Sequence, residues 1–273
     1  MKSLDSEQDA ALIASMRDIG FPVPAHIRGQ FSKPDLMFAL RLAGLARKEG
    51  TAMVRRESGR EVWALVGAVS TALRNVIFTS TDDQLRDLMQ LAPGRPALVV
   101  ECQLGCAHCC YENVQVTIPE AILAAQALAD PDDPRRTAVF KDVEVAAGLG
   151  IEDRFAMVRP CPFLVDNACS IYADRPVPCR TLLSPDAKRC EIGLQNALAG
   201  LGFGGVLSHT LPTLLGCAFH TALRGICKDL GLQYDIVVLV PAVAAILRDP
   251  GIAERWASGE KVFATQWAAA SRT

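Results

Sequence analysis

The stretch Cys102-Gln103-Leu104-Gly105-Cys106-Ala107-His108-Cys109-Cys110 decides how the rest of the chain is read. It sets four thiols within nine residues. Four more follow in Cys161-Pro162-Phe163-Leu164, Cys169-Ser170-Ile171-Tyr172, Arg175-Pro176-Val177-Pro178-Cys179-Arg180 and Cys190. Eight of the ten cysteines therefore lie between 102 and 190, in an early and a late group. Cysteines crowded in this way are spaced as metal ligands, and they predict one site closed by two chain segments.

A disulfide framework is the competing reading, because ten cysteines is an even number. The N-terminus, Met1-Lys2-Ser3-Leu4-Asp5-Ser6-Glu7, is polar and has no apolar run before a small-residue cleavage site. A cytoplasmic protein with reduced thiols is therefore expected. At 273 residues and half apolar, the chain also buries a core without covalent staples.

A formal net charge of −2 predicts neither a nucleic-acid footprint nor attraction to an anionic membrane. The basic group Arg55, Arg56 and Arg60 reads as a solvated patch. Residues 192–223 carry no Asp, Glu, Lys or Arg, yet Pro212, His209, His220 and several glycines spoil them as a spanning helix. The run from Ile236 to Leu247 is too short to cross a bilayer. No membrane span is expected, and no partner is legible.

The expected fold class is mainly α: helical flanks around a loop-rich, cysteine-ligated metal-binding core with little β. Three regions, 1–96, 97–195 and 196–273, are expected to form one compact unit. In the first, Pro34-Asp35 opens an apolar-periodic helix that runs to Lys48 and stops at Gly50. Val62, Leu65, Val66, Val69, Leu73 and Val76 give a second helix, and Leu85, Leu88 and Met89 a third. Pro93-Gly94-Arg95-Pro96 hands over to Ala97-Leu98-Val99-Val100, read as a strand.

After the first cysteine group, Thr117 and Glu120 have capping-box spacing, with Pro119 in the first turn of a helix reaching Ala129. A helix over 135–147 places Val139, Phe140, Val143 and Ala147 on one side. From Pro160 to Cys179 four prolines predict loops around a fixed centre. Helices are expected again over Leu211–Leu230 and Tyr234–Arg248, although Ile236, Val237 and Val238 are β-branched.

These cysteines, with the words around them, resemble the YkgJ-like cysteine-cluster family, described as zinc- or iron-chelating. Cys102, Cys106, Cys109, Cys110, Cys161-Pro-Phe-Leu, Cys169-Ser-Ile-Tyr, Arg175-Pro, Cys179-Arg180 and Cys190 carry the resemblance, over about a third of the chain. The family's lead motif has two residues between its first two cysteines, whereas here three separate Cys102 from Cys106. The resemblance implies metal binding. Related cysteine patterns occur in flagellin lysine methylases, so it also admits an enzyme.

From the residues themselves, Cys106 and Cys109 can curl toward one ion as a C-x-x-C turn does. Cys109 and Cys110, on extended backbone, would point to opposite sides, which requires either two sites sharing the loop or a reactive second thiol. Eight thiolates supply two Cys₄ zinc sites, or a four-iron cluster with four cysteines for a second centre. Soft all-sulfur ligation and compact spacing favour an iron–sulfur cluster of the 4Fe-4S kind, with zinc second. Thiolate centres are negative, and Arg175, Arg180, Lys188 and Arg189 are placed to offset that charge. Tyr172 reads as core packing, the alternative being a ring over the site with its hydroxyl on a cysteine sulfur or a backbone carbonyl.

Three further patterns compete. Cys102-x-x-x-Cys106-x-x-Cys109 has the spacing of radical S-adenosylmethionine enzymes, but such enzymes need alternating strands and helices afterwards, and helices and loops are expected here. Gly200-x-Gly202-x-x-Gly205 follows a helix, lacks the acidic ribose partner and reads as a turn. Cys217, His220 and Cys227 share one helix face and read as core, while His108 is a candidate proton carrier or ligand.

Overall fold

The computed structural model describes residues 33–57, 99–103, 105–149 and 151–264. The expected helices over 62–76 and near 85–89 lie outside them, as do Ala97 and Leu98. In chain order the described elements are α1 (Lys33–Glu57), β1 (Gln115–Thr117), α2 (Ile118–Gln126), α3 (Pro134–Val145), α4 (Ile151–Ala156), β2 (Leu164–Val165), β3 (Ala168–Cys169), α5 (Val177–Thr181), α6 (Ala187–Leu198), α7 (Thr210–Leu230), β4 (Ile236–Val238), α8 (Leu239–Arg248) and α9 (Gly251–Ala257). The protein is mainly helical, with short strands, as the sequence leads one to expect.

The described residues divide into two compact units, one of 33–57 with 210–232 and the other of 99–209 with 233–264. In the first, α1 packs on α7. Leu36, Ala39 and Ala43 meet Leu214, Cys217 and Ala218 in a buried cluster, and further along Arg47 Nε donates to Asp229 Oδ2 at 2.8 Å. Early residues thus meet early residues and late meet late, so the two helices run in the same direction.

Contrary to expectation, Gly50 does not stop α1, which continues to Glu57. Gly50 is buried, and a Cβ there would lie 2.5 Å from Ile226 Cδ1. The glycine is used for close helix approach rather than for a left-handed cap.

In the second unit, β1 and β4 pair antiparallel with Val116 opposite Val237, and each strand runs straight into a helix, α2 or α8. Ile118, Ile122, Leu128, Val243, Ile246 and Trp256 bury there. The Tyr234–Arg248 segment is therefore a strand followed by a helix. Its β-branched residues take the extended part, and Pro241 falls in the first turn of α8, where no intrahelical donor is lost. Val99 and Val100 are not a strand: both are exposed. Asp133 caps α3 by accepting from Arg135 N, and of its expected apolar face only Val139 is buried while Ala147 is exposed.

Thr117 and Glu120 form the expected capping box of α2. The Glu120 carboxylate also accepts from Val177 N at 2.7 Å, which ties the start of α2 to the start of α5. Cys161 to Cys179 is less loop-like than expected. Asp166 and Asn167, at φ 49° and 61°, turn a two-residue hairpin between β2 and β3, and α5 carries Cys179. Beyond α6, Gly200, Gly202 and Gly205 all have positive φ, 79°, 75° and 83°, in a turn that follows a helix and joins no strand. Among the described residues no helix is long and apolar enough to cross a membrane.

Candidate metal centre

Three pieces of local structure deliver the early thiols. Glu101 N donates to Ser184 O at 3.0 Å and Ala187 N donates to Glu101 Oε2 at 2.8 Å, so the chain entering the cluster is pinned to the segment before α6. Cys102 Sγ then accepts from Ser184 N at 3.1 Å. Gly105, at φ 94°, turns the chain in a conformation that favours glycine, and Cys106 N closes the turn on Gln103 O at 2.9 Å. His108–Tyr111 is a single 3₁₀ turn, not extended backbone. Cys109 and Cys110 are therefore about 120° apart around its axis rather than opposed, and their thiols stay within hydrogen-bond reach of each other.

The late thiols come from separate supports. Cys161 N donates to Cys110 O at 2.7 Å, a direct tie between the two cysteine groups. Cys169 sits on β3 opposite Leu164, Cys179 on α5 and Cys190, buried, on α6. Gly193 of α6 lies where a Cβ would be 2.6 Å from Val206, so the glycine-rich turn packs closely on the helix that holds Cys190.

Seven of the eight cysteines, Cys102, Cys106, Cys109, Cys110, Cys161, Cys169 and Cys179, line one cavity of about 430 Å³. Cys190 does not. It lines a second hollow of about 20 Å³ together with Cys102, Cys106, Cys109 and His108. Among the described residues, no three Cys, His, Asp or Glu side chains converge on one ion-sized point.

Burial raises the Cys102 and Cys106 thiols, and it pushes Cys161 up to about 12 and Cys179 higher still. The Cys109 thiol is raised by its contact with Cys110 and then by burial. Cys169 is raised by burial too, but Arg175 and Arg180 beside it pull the other way.

Of the four cations expected to offset thiolate charge, two are near the thiols. Arg175 lines the large cavity, with its guanidinium carbon 4.3 Å from the centre of the Tyr172 ring, and its Nε is buried without a hydrogen-bond acceptor among the described residues. Arg180 Nε donates to Arg175 O at 3.0 Å. Lys188 and Arg189 instead pair with Glu191 and Asp186 on exposed parts of α6. Tyr172 lines the cavity but is exposed rather than core. Cys217 and Cys227 are buried in the α1–α7 pair.

Two acidic residues carry no sequence signal for their part here. Glu112 borders both cavities, and burial raises its carboxyl. Glu120 was legible as a cap, but its bond to Val177 was not.

No curated protein and no solved structure matches the chain. Residues 101–195, which span all eight clustered cysteines, match the CxxCxxCC family, described as "Putative zinc- or iron-chelating domain".

Proposed function

We propose that the chain is an iron–sulfur protein in which Cys102, Cys106, Cys109, Cys110, Cys161, Cys169, Cys179 and Cys190 supply the ligands, with a four-iron cluster as the principal centre. The observation that carries this reading is the cavity of about 430 Å³ lined by seven of these thiols. A single ion bound by four thiolates at about 2.3 Å needs little more room than one water, for which ~10–15 Å³ suffices. The larger cavity fits a polynuclear occupant with several sulfur donors around it.

The donor set agrees. Thiolates are soft ligands suited to iron–sulfur clusters and zinc, and the buried Nε of Arg175 offers a hydrogen bond to a negatively charged occupant. Such a cluster supplies one-electron redox chemistry or structural cross-linking when bound. The protein's own part is to bring two cysteine groups together through the Cys161–Cys110 backbone bond, to shield them from water and to set Arg175 and Arg180 beside Cys169.

A second reading, a cluster-dependent enzyme such as a protein-lysine methylase, is favoured by the cavity's size, which falls in the roughly 300–1,000 Å³ range of small-molecule sites. Methyl transfer from S-adenosylmethionine to a lysine-rich protein by the iron-loaded chain would support it, and no transfer would count against it. A radical S-adenosylmethionine enzyme fits less well. The two strand pairs among the described residues are both antiparallel, and none of the parallel strands of a β/α barrel is formed there.

The test is anaerobic purification followed by iron, sulfide and zinc analysis and absorption spectroscopy. Iron and sulfide together, with broad visible absorption, are expected. A colourless protein with stoichiometric zinc and no iron would overturn the iron–sulfur reading in favour of zinc.

A further inference from the structure

Of these two hollows, Cys190 borders only the smaller, while Cys110, Cys161, Cys169 and Cys179 border only the larger. Cys102, Cys106 and Cys109 lie between the two. The hollows also differ in kind: about 20 Å³ is ion-sized, whereas about 430 Å³ is far larger than any single ion needs. We propose, resting on the metal-binding reading above, that the eight thiols serve two adjoining centres that part at the Cys109–Cys110 bond. Cys102, Cys106, Cys109 and Cys190 hold a single zinc-class ion, and Cys110, Cys161, Cys169 and Cys179 hold the iron–sulfur cluster.

Local geometry supports the division. On the 3₁₀ turn, Cys109 and Cys110 leave the backbone about 120° apart, and of the two hollows Cys109 borders both while Cys110 borders the larger alone. Each proposed set draws on both segments. Ser184 N holds the Cys102 sulfur just before the helix that carries Cys190, and Cys161 N holds the Cys110 carbonyl.

Binding is a proton exchange with no redox step at the small site. Each thiol that ligates the ion releases its proton to water, and the four thiolates close onto the cation. Sulfur donors in a tetrahedral set select zinc-class ions. His108 borders the same hollow and lies one residue from Cys109.

The experiment measures iron, sulfide and zinc per chain on the anaerobically purified full chain and on Cys190→Ser and Cys179→Ser. The unsubstituted protein should hold zinc as well as iron and sulfide. Cys190→Ser should lose at least nine-tenths of the zinc while keeping iron, sulfide and visible absorption, and Cys179→Ser should do the reverse. Any other pattern overturns the division. Cys190→His, which keeps a zinc donor, should recover zinc and so separates loss of a ligand from a misfolded α6. If Cys190→Ser does not fold, chelator titration of the unsubstituted protein decides: zinc and iron leaving in separate steps supports two centres, and one step overturns them. A protein without metal would overturn the underlying metal reading, whereas metals that behave as one pool overturn only the division.

Discussion

Cys217 and Cys227 look onto a packed helix face, while Cys109, Cys161, Cys169 and Cys179 look onto a cavity. Burial pushes Cys217, Cys227 and Cys161 alike up to about 12, so thiol acidity does not separate the two settings. Space and charge do. The cavity thiols come from a 3₁₀ turn, a hairpin and a short helix, with Arg175 beside them. The α7 thiols belong to one helix and fill the role of small apolar side chains. A candidate site here is a convergence of separately supported thiols around room for an occupant.

Metal removal draws the contrast most sharply. Where metal is the core of loops with little apolar packing, binding contributes to folding on the order of several kcal/mol. Chelation at mildly acidic pH is expected to strip amide-exchange protection from residues 101–112 and 161–190 and to leave that of α1 and α7 in place. If the helix pair lost protection to the same extent, the two settings would not be energetically independent.

Next in size is Glu120→Ala. The carboxylate accepts from Thr117 N, Thr117 Oγ1 and Val177 N, and Glu120 is 5% exposed. Its removal leaves buried donors unpaired at about 1–3 kcal/mol each, so a loss of about 3 kcal/mol or more is expected in urea unfolding. Because Val177 begins the helix that carries Cys179, bound metal should fall as well. Unchanged metal content would show that α5 is held without this bond.

The helix pair responds to volume instead. Gly50→Leu forces a side chain against Ile226 and should destabilise by about 1–3 kcal/mol without altering metal content. In the same helix Gly44 is exposed with nothing near its missing Cβ, so Gly44→Ala should stabilise by about 0.5–1 kcal/mol. Thermal melts of the two variants, shifted in opposite directions, would check both.

These positions also show what the sequence could tell. The capping box at Thr117 and Glu120, the helix over 211–230 and the grouping of the cysteines were legible because each rests on local spacing. Gly50 was misread as a stop, because its role depends on Ile226, some 175 residues away in the chain. The 3₁₀ turn at Cys109 and Cys110 and the strand at Ile236 arise from pairing and packing partners that periodicity does not encode. Likewise, Arg175 and Lys188 are equivalent as charges in the sequence. Only tertiary structure sends one to a cavity and the other to Glu191.

The smallest effect near neutral pH concerns the helix-pair thiols and appears on the alkaline side. Cys217 and Cys227 are raised by burial from 9.0 to about 12, so between those values the unfolded chain has released protons that the folded chain still holds. Stability contributed by these neutral thiols is fully present below about pH 9 and is lost as pH climbs toward 12, because the unfolded state binds fewer protons there. Melting temperatures of the unsubstituted protein should therefore fall more steeply from pH 8 to 11 than those of Cys217→Ala/Cys227→Ala, which has no thiol in the pair to ionise. Parallel slopes would mean that these thiols are reached by water in the folded state.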